Sequence, residues 1–132
     1  MSRHDDSVSL RQMLDHIEEA VVLAGDRTRE DLGTDRVFSL ALLKLVEIVC
    51  EAGTRVSELV QAGHPEIPWR AIIGTRNRLI HGYDDVDYDI LWDIVTADFP
   101  PLARQIRTLL PGDLTVALHD TTHRDQGNRR KP

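Results

Sequence analysis

The stretch DRVFSLALLKLVEIVCEAGTRVSEL, running from Asp35 to Leu59, decides the fold. Phe38, Ala41, Leu42, Leu45, Ile48, Val49, Ala52 and Val56 recur at three- and four-residue intervals, the period of one face of an α-helix. Val37, Leu40, Leu43 and Val46 widen that face, and only Lys44, Glu47, Glu51 and Arg55 keep charge across its middle. A helix this apolar needs cover on more than one side. The chain has 132 residues, enough for one core but not two. The extra cover is therefore expected from another subunit, making a homodimer.

Outward from this helix, the same period continues. Upstream, Leu10, Met13, Leu14, Ile17, Ala20 and Val21 form a stripe that starts behind the potential caps Asp6 and Ser7 and stops before Gly25. A polar linker, Asp26 to Gly33, has room for one helical turn around Thr28-Arg29-Glu30-Asp31. Downstream of the loop Gly63-His64-Pro65-Glu66, Pro68 suits the first position of a third helix that runs to His81, with Gly82 as its stop. Asp84-Asp85-Val86-Asp87 is an acidic connector, and Asp87 caps a fourth helix carrying Leu91, Ile94, Val95, Leu102, Ile106 and Leu109. Pro100-Pro101 must kink or restart that helix, with Asp98 available as a second cap. The pattern predicts an all-α fold, an antiparallel four-helix up-down bundle with a kinked last helix over residues 1–110, followed by a polar tail at 111–132.

The formal net charge of −6 provides no general basic field, so a nucleic-acid surface would have to be local or built by oligomerisation. Cys50 is the only cysteine, which excludes an internal disulfide and a thiolate-rich metal site and fits a reducing compartment. Neither a signal peptide nor an apolar run of membrane-spanning length is visible, so the expected location is cytoplasmic.

The chemistry concentrates in Arg76-Asn77-Arg78-Leu79-Ile80-His81-Gly82-Tyr83. Arg76 lies seven residues after Trp69, four after Ile72, three after Ile73 and four before Ile80, in the middle of the third helix's apolar stripe. A charge there is costly unless it has a partner or a task. Asn77 and His81 are four apart, which would let the amide orient the imidazole at the negative end of the helix. A planar guanidinium matches phosphate oxygens and an imidazole moves protons. Together these are the parts of a metal-free phosphodiester cleaver. By spacing alone they fit a structural arrangement better, in which Arg76 pairs with Glu47 or Glu51 and His81 merely caps the helix.

Pro68-Trp69-Arg70 followed by Arg76 to Tyr83 resembles the signature of the HEPN superfamily, and more narrowly its HepT branch, over about Leu10 to Leu110. The branch pattern is Arg, four residues, His, one residue, Tyr, and Arg76, His81 and Tyr83 match it. The resemblance implies an RNA-cleaving toxin that needs no metal or other cofactor, with two Arg/His sets meeting at a homodimer cleft. His81 would be the acid/base, Arg76 the phosphate stabiliser, Asn77 the orienting group, and Arg70 and Arg78 substrate-binding. It also implies a partner, an MntA-like nucleotidyltransferase antitoxin that transfers AMP from ATP to Tyr83; attached phosphates would fill and repel an RNA-binding cleft. The rival reading is a non-enzymatic helical module that docks a nucleotidyltransferase or a nucleotide.

Other features have plainer readings. His119 and His123 have a metal-ligand spacing but fall in the polar tail. No Glu stands three residues before a His, which removes the di-iron bundle, and there is no Gly-rich phosphate loop. Gly74 permits close helix approach, Cys50 is a small buried apolar residue, and Trp69 and Trp92 are core or interface anchors. Asp84, Asp85, Asp87 and Asp89 form a solvated acidic turn.

Overall fold

A computed structural model describes residues 5–82 and 85–110. Helix α1 (Asp6–Ala24) starts where the Asp5 carboxylate accepts the Ser7 N–H, and it buries Leu10, Met13, Leu14, Ile17 and Ala20. A short turn, α2 (Asp31–Thr34), places Leu32 in the core. Helix α3 (Arg36–Thr54) begins where the Asp35 carboxylate accepts the Phe38 N–H at 3.1 Å. The Arg27 guanidinium ties this corner together: it bonds Asp31 and Asp35 and lies 4.1 Å from the centre of the Phe38 ring.

Helix α3 is shorter than its apolar pattern predicts. The chain leaves it at Thr54 and starts a separate helix, α4 (Glu58–Gly63), instead of continuing to Leu59. Ser57 causes the break. Its hydroxyl accepts the Val60 N–H as the cap of α4, and its own N–H and O–H donate to the two carboxylate oxygens of Asp6, both at 2.8 Å. A serine that gains one local cap bond and two bonds to a distant carboxylate outweighs one more turn of periodic sequence. The same contact joins the start of α1 to the end of α3, so the two helices run antiparallel.

The predicted third helix is two short ones, α5 (Trp69–Ile73) and α6 (Thr75–Leu79), parted at Gly74. Pro68 stands just before α5, not as its first residue. The chain then turns extended: Ile80 forms an isolated antiparallel bridge with Val86. His81 N–H donates to the Asp85 carbonyl at 2.7 Å and Asp87 N–H donates to the Leu79 carbonyl at 2.8 Å. Gly82 makes the reversal at φ +105°, backbone space that a Cβ disfavours.

Asp87 caps α7 (Tyr88–Asp93) as expected, accepting the Ile90 N–H. One wide π-helical turn (Ile94–Asp98) then leads into α8 (Phe99–Arg107). The two prolines lack N–H donors and their rings crowd the preceding turn, and the widened turn absorbs the misfit. Asp98 stays helical and caps nothing, so the last helix is bent without being restarted. Helix α8 packs on α1 with Pro100 beside Val21 and Arg107 paired to Glu18, an antiparallel arrangement.

The chain is thus an all-α antiparallel bundle with a kinked last helix, its core filled by Met13, Ile17, Leu42, Val46, Val49, Leu79, Leu91, Val95 and Ile106. Full burial of each such side chain is worth about 1.5–3 kcal/mol. Part of the extra width of α3 is covered from within. Val46 is fully buried, because α1 packs on one side of α3 and α5, α6 and α7 on another. Val37 and Leu40 remain outside, at 77% and 48% exposure.

Candidate functional site

Arg76 does not lie in the apolar stripe. The break at Gly74 re-phases the helix, so Thr75 and Leu79 turn inward while Arg76, Asn77 and Arg78 face out. The Arg76 side chain is 69% exposed, with its Nε 3.8 Å from Glu47 Oε2 on α3. Among the described residues its two terminal amino groups have no partner, so the fork that matches phosphate is open. The guanidinium lines a polar groove of about 390 Å³ with Gln12, Lys44, Glu47, Ile48, Glu51 and Arg55. Three cations face two carboxylates there, which makes this a locally positive spot on an acidic protein. One of the two carboxylates foreseen as structural partners, Glu47, does hold Arg76, but by one edge only.

His81 stands two residues beyond the end of α6, not on its last turn, so the helix dipole does not bear on it as the spacing suggested. Asn77 does not orient it either: among the described residues no hydrogen bond joins the two side chains, because the helix ends before their four-residue spacing can act. Among the described residues, the charged group beside it is Asp87, whose Oδ2 is 3.8 Å from His81 Nε2. Sequence reasoning gave Asp87 only a capping role. The signal it missed is the reversal at Gly82, which brings the residue before α7 back beside the residue after α6.

The three arginines expected to act together line three different grooves. Arg78, two positions from Arg76 and so on the other flank of a helix, sits on the rim of an apolar cavity of about 320 Å³ floored by Val49, Cys50, Ile72 and Phe99. Its guanidinium reaches the Thr75 hydroxyl at 3.5 Å. Arg70 borders a shallow groove with Trp69, Ile73 and Ala62. Cys50 is buried as expected, and burial pushes its thiol above the ordinary cysteine range. Trp69 is a core residue whose indole N–H donates to the His64 carbonyl. Tyr83 and Asp84, together with His119 and His123, lie outside the described residues. No described helix is long and apolar enough to cross a membrane. Among the described residues no group of three or more His, Cys, Asp and Glu could hold a metal ion.

The chain is similar to several ribonuclease-named proteins. A "Probable ribonuclease HepT" of Thermococcus cleftensis is 35% identical over 105 residues, 76% of this chain and 96% of that protein. A "Putative RNase" of Caldanaerobacter subterraneus is 31% identical over 104 residues, 76% of this chain and 93% of that one. Another of that description, from Methanocaldococcus jannaschii, is 27% identical over 106 residues, 80% of this chain and 97% of its own length. No solved structure matches the chain significantly. The family described as "Ribonuclease HepT-like" matches residues 12–109, which takes in the helices from within α1 to the end of α8 and the Arg76–Tyr83 motif, and the chain belongs to that family.

Proposed function

We propose that this protein is an endoribonuclease that cleaves RNA without a metal ion and acts as the toxin of a toxin–antitoxin pair. The observation that carries the reading is the state of Arg76, exposed in a polar groove with Nε 3.8 Å from Glu47 and its terminal fork open, in a family named for ribonucleases. In the reaction, His81 takes the proton of a ribose 2′-hydroxyl as that oxygen attacks the adjacent phosphorus. The bond from phosphorus to the 5′-oxygen breaks, and the leaving oxygen receives a proton from the second His81 of a homodimer. Arg76 holds the charge that builds on the non-bridging oxygens. The products are a 2′,3′-cyclic phosphate and a 5′-hydroxyl.

The dimer is supported by one face of α3. Val37, Leu40, Lys44, Glu47 and Glu51 follow one another at three- and four-residue spacing, so the exposed apolar patch and the Arg76 groove share that face. Two-fold pairing through the patch would bring two grooves together and double their positive charge. Arg70 and Arg78 then serve as outlying phosphate contacts. An MntA-like nucleotidyltransferase antitoxin neutralises the toxin by adenylylating Tyr83, in line with the motif. The test is cleavage of RNA in excess EDTA. Wild-type protein should cut, and Arg76→Ala and His81→Ala should not. Folded variants that cut as well as wild type would overturn the assignment and favour a binding module. Mass spectrometry after incubation with the antitoxin and ATP should find AMP on Tyr83.

A further inference from the structure

The residue pair His81 and Asp87 is held by more than proximity. The bridge between Ile80 and Val86, the bond from His81 N–H to Asp85 and the bond from Asp87 N–H to Leu79 clamp the two ends of the Gly82 reversal. Both side chains therefore spring from one small rigid frame. Asp87 also divides its carboxylate: Oδ1 accepts the Ile90 N–H at 3.1 Å, while Oδ2 faces His81 Nε2 at 3.8 Å. The first bond fixes the side-chain rotamer, so the second oxygen has one direction left to point. The carboxylate is 34% exposed and the imidazole 52% exposed, so the ring is free to swing while Asp87 is not. At 3.8 Å the two groups are not yet hydrogen-bonded; a ring rotation that closed the gap to ~2.8 Å would make a charge-assisted hydrogen bond.

We infer that Asp87 is a positioning residue: it takes the Nε2–H of His81 and thereby makes Nδ1 the nitrogen that exchanges protons with substrate. This rests on the ribonuclease reading for its consequence, but not for its geometry. A neutral imidazole carries its proton on one nitrogen, and an acceptor at Nε2 selects the tautomer whose Nδ1 lone pair is open. The acceptor must stay an acceptor. A carboxylate does, whereas an amide in the same place can present an N–H and select the opposite tautomer.

The test uses Asp87→Asn and Asp87→Ser in the full chain. Asn and Ser both cap helices well, so both variants should keep the α7 cap and melt close to wild type. The tautomer is read from ¹⁵N shifts of the His81 ring at alkaline pH, assigned with His81→Gln, and does not depend on any cleavage. Wild type should be mainly Nε2–H. Asp87→Asn should move toward Nδ1–H, and Asp87→Ser, too short to reach the ring, should lose the bias. In RNA cleavage, kcat of Asp87→Asn should fall about tenfold or more, within the range for lost acid/base function, with KM nearly unchanged. A wild-type ring found mainly as Nδ1–H, or an Asp87→Asn variant with wild-type tautomer and kcat, overturns the inference. If wild-type protein does not cut RNA, the ribonuclease reading fails while the ring measurement still decides the role of Asp87.

Discussion

The bond between Asp6 and Ser57 crosses 51 positions of sequence and sets where α3 ends, so it is the place to test how this bundle is held. Replacing Ser57 with Ala removes the O–H donor to Asp6 Oδ2 and the acceptor for the Val60 N–H, and leaves the backbone N–H bond to Asp6 Oδ1. Replacing Asp6 with Ala removes both bonds to Ser57. A hydrogen bond to a charged group is worth about 1.5–3 kcal/mol, and the pair is partly exposed, so each is taken near the lower bound. The two bonds to Ser57 should then account for about 3 kcal/mol of the cost of Asp6→Ala. Ser57→Ala should cost about 2.5 kcal/mol, of which about 1 kcal/mol is the lost cap of α4. The two share only the Oγ–Oδ2 bond, so the double variant should cost about 1.5 kcal/mol less than the sum. For a domain of this size 1 kcal/mol is roughly 3–5 °C in Tm, so Asp6→Ala should melt about 10 °C below wild type. Chemical denaturation of the four proteins gives the cycle directly. Additive losses, with a coupling under about 0.3 kcal/mol, would refute the view that this carboxylate fixes the α3–α4 corner.

Three further outcomes follow from the same structure. Gly82→Ala meets no atom within 4 Å, so its cost is the φ of +105° alone, about 1–3 kcal/mol, seen as a lower Tm with a disproportionate loss of RNA cleavage as the His81–Asp87 frame distorts. Asp31 and Asp35 are held below the ordinary carboxylate range, Asp31 first by the Thr28 N–H and Asp35 first by the Phe38 N–H, with Arg27 adding to both. Their contribution is therefore complete above the unfolded carboxylate pKa and is lost as pH falls through the depressed folded values; Arg27→Ala should lower the neutral-pH Tm by the ion-pair and packing losses together, and the gap to wild type should narrow toward the packing loss alone as pH falls, giving a flatter acid limb. Val37→Glu with Leu40→Glu should leave the melting of the protomer nearly unchanged, since both side chains are exposed, yet shift sedimentation from dimer to monomer and abolish cleavage.

The amino-acid sequence alone determined the class of fold, because burial follows periodicity. The stripe of α1 is buried as spaced, α3 starts beside Asp35 and Asp87 caps α7 where they were placed, and Pro100-Pro101 bends the last helix, although Asp5 caps α1 in place of Asp6 or Ser7. It also singled out Arg76 and His81, since a short motif survives any error in helix boundaries. What it could not supply were the ends of helices and the partners across them. Ser57 breaks a periodic run because Asp6, far off in the chain, is there to receive its donors. Gly74 re-phases a helix, so Arg76 moves from an apolar face into a polar groove beside Glu47. Asp87 replaces Asn77 at the imidazole because a reversal at Gly82 folds two helix ends together. Local propensity acts over a turn or two, whereas the neighbours of a charged side chain are chosen by packing among segments far apart in sequence. That is why the motif residues were legible one residue at a time and their arrangement only in three dimensions.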